Sequence, residues 1–334
     1  MPVETELTRW PRLLVAKAMG MARDNNWTVG LLVFLGVLLV FTKIINPFYG
    51  VTGVQGLANS VLPLALAAVA QAVVVIAGGI DLSIASIMAL TSCIAAKYMQ
   101  DQSPEFGVAV VVGVLLLGLL LGAINGALVV ITRVPDIIVT LGTSFVWAGF
   151  ALLVLQAPGG RTAQWLKDLV IGPLGSEWIP KAAVALAIVV AVIWIPVSRS
   201  RLGLSIYAMG SNQLAAFRSG VSVGQTKVLA YVLTGLFATL GGLALAASTG
   251  VGTPVPDATY VLLSIAATVL GGVSLAGGVG GVFGPVVAVI VLQLIRTDMT
   301  FLRVDPNLGL VAQGVILIAV LVFGSWIQIR RSRR

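Results

Sequence analysis

Asp81 is the residue of this sequence whose type and setting ask most of their surroundings. It follows two glycines and precedes two serines in Ala77-Gly78-Gly79-Ile80-Asp81-Leu82-Ser83-Ile84-Ala85-Ser86, inside an otherwise apolar stretch. A carboxylate at mid-membrane depth costs about 2.5–3.5 kcal/mol on insertion scales, so it must be compensated. As a cap, Asp81 or Ser83 would accept from the free N–H groups of a helix that starts there, with Gly78 and Gly79 breaking the helix before it. Such a broken helix with polar caps can also flank a solute path, and the two roles are compatible. Asn125, in Gly122-Ala123-Ile124-Asn125-Gly126, is either an interhelical hydrogen-bonding group or a path-lining one. Thr140 and Asp136 complete the polar set near span ends. Asp81 and Asp136 are the acids read as lying near spans, too few for the ionisable relay of a typical ion-coupled pump.

Other chemistry is excluded by residue type. The chain has no His and one Cys, Cys93, which removes zinc sites, Cys/His nucleophiles, haem ligation and disulfides. No Gly-Lys pair occurs, so there is no Walker A loop to cradle ATP phosphates. Nor is there a Ser/His/Asp set or a paired-carboxylate site, and the chain reads as a mover of solute rather than an enzyme.

The elements that must hold these residues are membrane helices. Of 334 residues 58% are hydrophobic and 10% charged, with a mean hydropathy of +1.06, whereas soluble domains carry about 25% charged residues. Runs long enough to span occur at 29–45, 56–78, 80–99, 107–131, 136–155, 182–197, 228–248, 260–275, 282–295 and 308–328. The expected fold is an all-α polytopic membrane protein of about ten transmembrane helices. The eighth and ninth runs are the weakest, because the glycine-rich string 271–281 could be a loop or part of one broken helix.

The net charge of +8 is clustered. Arg9, Arg12, Lys17 and Arg23 precede the first run; Arg199, Arg201, Arg218 and Lys227 lie between the sixth and seventh; Arg330, Arg331, Arg333 and Arg334 end the chain. Cytoplasmic loops collect such residues, and an even span count agrees in placing both termini and the middle cluster in the cytoplasm. The opposite loops are read as holding Asp101, Glu105, Arg161, Lys167, Asp168, Glu177, Asp257, Asp298, Arg303 and Asp305. The domain plan is a basic N-terminal segment 1–28, a single membrane domain 29–328 with a cytoplasmic loop 198–227, and a basic tail 329–334. The N-terminal segment is either a short helix in the headgroup layer or a basic tail that sets topology, and it is not a cleavable signal.

Three further patterns concern packing and repeats. Gly118, Gly122 and Gly126 make one smooth face for close helix contact. Trp147 and Trp194 could stack on a solute, but read better as packing or interface anchors. Leu270-Gly271-Gly272-Val273-Ser274-Leu275 faintly echoes Ala77-Gly78-Gly79-Ile80-Asp81-Leu82, the signature of a pseudo-symmetric internal repeat. In the loop, Asn212 can N-cap a short helix that Gly220 terminates, lying parallel to the membrane with Leu214 and Phe217 exposed. The segment is either a solvated connection or a docking peg.

The ordered set of motifs 77–83, 122–126, Val134-Pro135-Asp136-Ile137-Ile138-Val139-Thr140-Leu141-Gly142-Thr143, 208–221 and Val269-Leu270-Gly271-Gly272-Val273-Ser274-Leu275-Ala276-Gly277-Gly278 resembles the permease subunits of ribose-type ABC importers, a group related to the branched-chain amino-acid permeases. The resemblance implies a dimeric membrane core, homodimeric or heterodimeric, in the bacterial inner membrane. It implies two partner ATPase subunits that use ATP and magnesium, and a periplasmic solute-binding protein that delivers a monosaccharide or polyol. It implies too that Asn212, Gln213, Leu214, Ala215, Ala216, Phe217, Arg218 and Gly220 form the coupling helix. No cofactor or metal is expected on this chain. The path is expected near Asp81, Ser83, Asn125 and Thr140, and a stand-alone carrier is the rival reading.

The chain departs from the family pattern in places. Acids commonly follow the Asn and a basic residue follows Ala-Ala, whereas here Gln213, Leu214 and Phe217 stand there, with Arg218 one position later. Docking to the ATPase is therefore expected to be either less electrostatic or specific to one partner. Asp136 lies where an apolar residue or proline is usual, which would place a charge at the cytoplasmic mouth beside Arg133, with which it could form an ion pair; Val279 lies where arginine is common.

Overall fold

The computed structural model describes residues 26–255 and 258–305, together with positions 308, 311, 314, 315 and 318. The N-terminal basic cluster, Asp257, most of the tenth run and the basic tail lie outside the described residues.

Helices account for most of the described chain. They are α1 (Asn26–Ile45), α2 (Val51–Ile76), α3 (Ile84–Met99), α4 (Pro104–Thr132), α5 (Asp136–Val154), α6 (Gln164–Val170), α7 (Lys181–Arg199, with a π turn at Val190–Trp194), α8 (Arg201–Ser211), α9 (Gln213–Arg218), α10 (Val223–Thr249), α11 (Ala258–Leu270) and α12 (Phe283–Phe301). A short hairpin, Pro173–Leu174 with Ser176–Pro180, turns at Gly175 between α6 and α7 and leaves the helical class unchanged. Seven of these helices are long and apolar enough to cross a membrane, while α3 and α11 are shorter apolar helices. The nine expected runs up to residue 295 each fall on one helix.

The core is built around α2. Every residue from 61 to 76 is buried, and α10, α12 and α11 pack along it. In a bilayer, helices gain little from hiding apolar surface from lipid, so association rests on close fit and polar contacts. The glycine face of α4 supplies that fit. A methyl group at Gly118, Gly122 or Gly126 would meet Thr239, the Tyr231 carbonyl or Val228 of α10. The expected packing role holds, and Gly235 returns the contact from α10 onto the Gly118 carbonyl. By contrast α1, α5 and α7 expose apolar faces, including Val33, Val40, Phe145, Leu153 and Val192.

The glycine-rich string resolves into a loop. α11 stops at Leu270 and α12 starts at Phe283. Asp298 lies in a helix rather than in the expected loop: α12 runs on to Phe301 and buries it at 4% exposure. Asp81 lies near the end of the bundle: the Leu82 N–H bonds Thr140, only four residues, or about 6 Å at the usual helical rise, from the start of α5. The carboxylate therefore sits about one turn inside the end of the bundle that carries α8 and α9.

Candidate functional site

The helix break after α2 is a glycine-terminated cap. The Gly78 N–H donates to the Val75 carbonyl and the Gly79 N–H to the Val74 carbonyl, both at 2.9 Å, with Gly78 at φ +80°. At the second break the Gly272 N–H donates to Val269 (2.9 Å) and the Val273 N–H to Thr268 (3.1 Å), with Gly272 at φ +87°. The same bonds close both helices, as in a Schellman motif, where only glycine takes the left-handed position without strain. The two breaks thus share a backbone geometry in which Gly272 matches Gly78 and Val273 matches Gly79, one residue out of the register in which the sequence string 270–275 echoes 77–82.

Downstream of the first break, the four candidate path residues form one buried hydrogen-bonded set. Asp81 Oδ1 accepts from the Ser83 N–H (2.7 Å) and from Ser83 Oγ (2.6 Å), so it closes a local turn. Ser83 Oγ in turn accepts from Asn125 Nδ2 at 2.7 Å, a bond that reaches from α4 to the start of α3. Thr140 Oγ1 accepts from the Leu82 N–H (3.1 Å) and donates to the Asp136 carbonyl (2.9 Å), with the Ile80 carbonyl at 3.3 Å. The break is thereby tied to α4 through Asn125 and to α5 through Thr140. Capping differs in detail from expectation, because Asp81 bonds the Ser83 N–H and the Ser83 side chain makes no cap bond to α3.

Asp81, Ser83, Asn125 and Thr140 are each 0% exposed. The Asp81 Oδ2 and Asn125 Oδ1 atoms have no partner among the described residues. A cavity of about 250 Å3 lies beside this set, between α3, α10 and α11, where Ala85, Met88, Ala89, Leu245, Thr253 and Tyr260 line it. None of the four polar residues reaches it, although Ala85 is only two positions from Ser83.

Asp136 does not pair with Arg133. Its Oδ1 accepts from Lys227 Nζ at 2.8 Å and its Oδ2 from the Tyr231 hydroxyl at 2.9 Å. Arg133 is turned away as the left-handed C-cap of α4, at φ +58°. Across from the carboxylate lies Gly79, where a methyl group would collide with Asp136 Oδ2.

Asn212 caps α9 as expected, its Oδ1 accepting from the Ala215 N–H at 2.9 Å. Gly220, at φ +86°, ends the segment as the Gly220 N–H bonds Phe217 and the Val221 N–H bonds Ala216. Leu214 and Phe217 point outward at 59% and 67% exposure while Ala216 faces in. Gln213, Ala215 and Arg218 complete the helix on its exposed side.

Gly210, which sequence reasoning passed over, links α9 to both breaks. A methyl group there would strike the Ile76 carbonyl and come within 2.6 Å of the Gly278 nitrogen. At Gly277, one would lie 3.0 Å from the Gly78 Cα and 2.8 Å from the Gly210 oxygen. The Gly278 N–H donates to the Ile76 carbonyl at 2.9 Å, joining the two breaks directly. Trp147 and Trp194 are packed, at 7% and 6% exposure, and Trp147 stacks on Phe150 at 6.2 Å.

Residues 53–321 match the family described as branched-chain amino acid transport system / permease component. The chain is similar to the ribose import permease protein of Haemophilus influenzae, at 31% identity over 290 residues, covering 85% of this chain and 89% of the relative. It is also similar to the D-allose transport system permease protein of Escherichia coli K12, at 32% identity with 73% and 74% covered. The galactose/methyl galactoside import permease protein of the same strain is 30% identical, with 89% and 93% covered. No solved structure matches the chain.

Proposed function

The chain belongs to the permease component family of branched-chain amino acid transport systems, and on that premise we propose that it is the membrane subunit of an ATP-driven, binding-protein-dependent importer carrying a monosaccharide or related polyol. Its place is the bacterial cytoplasmic membrane, with ten spans and both termini in the cytoplasm, as a homodimer or a heterodimer with a similar permease. ATP and magnesium are used by separate ATPase subunits that dock on α9, and an extracytoplasmic binding protein delivers the solute to the other end.

The observation that carries this reading is the capped helix Gln213–Arg218. It holds two large apolar side chains outward and is joined, through Gly210, to the end of α2 and to the loop between α11 and α12. A push on α9 would reach Ile76, Gly78 and Gly278 through backbone contacts that no side chain cushions. From Gly78 it would pass along the break to Asp81, Ser83, Asn125 and Thr140, which close the path when tied together and open it when α4 and α5 part. The apolar Leu214 and Phe217 fit an ATPase groove that is less charged than is usual for this family.

The test is reconstitution in proteoliposomes with the cognate ATPase and binding protein. Sugar uptake that needs all three and stops without ATP supports the importer. Uptake by this chain alone, without ATP, would assign a stand-alone carrier instead.

A further inference from the structure

At the end of the bundle opposite α9, a cavity of about 320 Å3 opens between the end of α3, the start of α4 and α6. Its polar wall consists of Asp101, Gln102, Arg161, Gln164 and Lys167, with the Trp165 indole beside them. Met99 closes α3, and Pro104 opens a span of 29 residues, so the cavity lies where apolar helices meet water. Interfacial tryptophan and clustered Arg and Lys are the side chains that meet lipid headgroups at that depth.

The wall is built rather than floppy. The Arg161 N–H donates to the Ala96 carbonyl at 2.9 Å and the Thr162 N–H to Gly250 at 3.0 Å, while Thr162 Oγ1 donates to Ala246 at 2.8 Å. Gly159 and Gly252 exchange backbone bonds at 3.0 and 2.8 Å. These bonds fix the segment that carries Arg161 against α3 and α10.

Its charges are mixed. Arg161 and Asp101 lie 3.4 Å apart, yet their side chains are 68% and 69% exposed, so water screens the pair and each group remains open to a better partner. Lys167 adds a second cation. We propose that this cavity holds the headgroup of a zwitterionic phospholipid of the phosphoethanolamine type. The phosphodiester oxygens take the forked guanidinium of Arg161 and the ammonium of Lys167, and the primary ammonium of the headgroup donates to Asp101 and the amide oxygens of Gln102 or Gln164. An anionic headgroup without the ammonium would face Asp101 unpaired, and a trimethylated one has no N–H to donate. Val108 and Val112, one and two turns along α4 on the same side as the cavity-lining Pro104, are exposed and accept the acyl chains.

The experiment is native mass spectrometry of the full chain equilibrated with vesicles of phosphatidylethanolamine, phosphatidylcholine or phosphatidylglycerol, beside Asp101→Asn, Arg161→Gln and, as an off-site control, Glu177→Gln. Thermal unfolding reports that each variant is folded. The wild type and the control should retain one phosphatidylethanolamine over the other lipids by about tenfold; Asp101→Asn should bring phosphatidylglycerol level with it, and Arg161→Gln should lose both by about tenfold. Equal retention in wild type and both site variants, or none in the wild type, overturns the proposal. Displacement of the lipid by soluble glycerophosphoethanolamine would show a site for a free phosphodiester and overturn the lipid assignment.

Discussion

Lys227 of α10 places its ammonium 2.8 Å from Asp136 at the first position of α5, across 91 residues of sequence, and the Tyr231 hydroxyl holds the other carboxylate oxygen. The side chains are only 18% and 13% exposed. Asp136 also sits at a helix N-terminus, where the macrodipole favours a negative charge. Breaking the pair from one side leaves a largely buried charge unmatched. Lys227→Met should therefore cost about 2–4 kcal/mol. The double variant Lys227→Met/Asp136→Asn should recover most of that loss, because the Asn side chain keeps an acceptor for Tyr231. Thermal unfolding of purified wild type, single and double variants measures both steps, and a double variant no better than Lys227→Met would show that the pair is not what holds α5 to α10.

Gly210 is the second joint. Its Cα faces the Ile76 carbonyl and the Gly278 nitrogen, both backbone atoms, so no change of rotamer can make room for a methyl group. Gly210→Ala should cost about 3 kcal/mol or more, or abolish folding. Gly281 has nothing within 4 Å of where a methyl would sit, and Gly281→Ala should be silent. Expression and melting temperature of the two variants compare like with like.

Much of this was legible because a polar group in an apolar run must find a partner nearby. Asp81 with Ser83, the glycine stops and the Asn212 cap are local solutions written within a few residues. Partner choice across the fold was not. Arg133 stands three residues from Asp136 and looks like its natural mate, but the left-handed turn that ends α4 swings Arg133 to the surface, and Lys227 arrives from another helix. The helical setting of Asp298 is hidden in the sequence for a related reason. The apolar run thins after Ile295, while packing against α1 carries α12 one and a half turns further. Gly210 gave no signal at all, because a glycine within a short helix acquires meaning only from the two loops that close on it.

The exposed face of α9 separates docking from folding. Leu214 and Phe217 touch water in the isolated chain, so Leu214→Ala and Phe217→Ala should leave its melting temperature unchanged while lowering solute uptake by tenfold or more, roughly the loss of one buried apolar anchor at an interface. Asn212→Ala removes the cap bond to Ala215 and should cost about 1 kcal/mol locally. Uptake and ATP hydrolysis measured in the reconstituted complex distinguish the cases. Hydrolysis that continues without uptake would mark α9 as the coupling contact, and uptake undiminished in both apolar variants would remove it from that role.

The closed state of the polar set makes the last prediction a labelling one. Ser83 and Asn125 are fully buried and bonded to each other at 2.7 Å, and the native Cys93 is buried as well. Ser83→Cys and Asn125→Cys should therefore resist a membrane-impermeant thiol reagent while the transporter is idle. If the bond between break and α4 opens when α9 is driven, both cysteines should react at least several-fold faster during ATP turnover, and solute should protect them. A cysteine at buried Ala96, whose carbonyl is engaged by Arg161 at the far end of α3, serves as the comparison and should stay unreactive throughout. Reaction at 83 and 125 that never rises above that of the comparison, under conditions where uptake is measured in the same vesicles, would confine the set to bracing α3 against α4 and α5 and move the path to the neighbouring cavity at Ala85, Met88 and Tyr260.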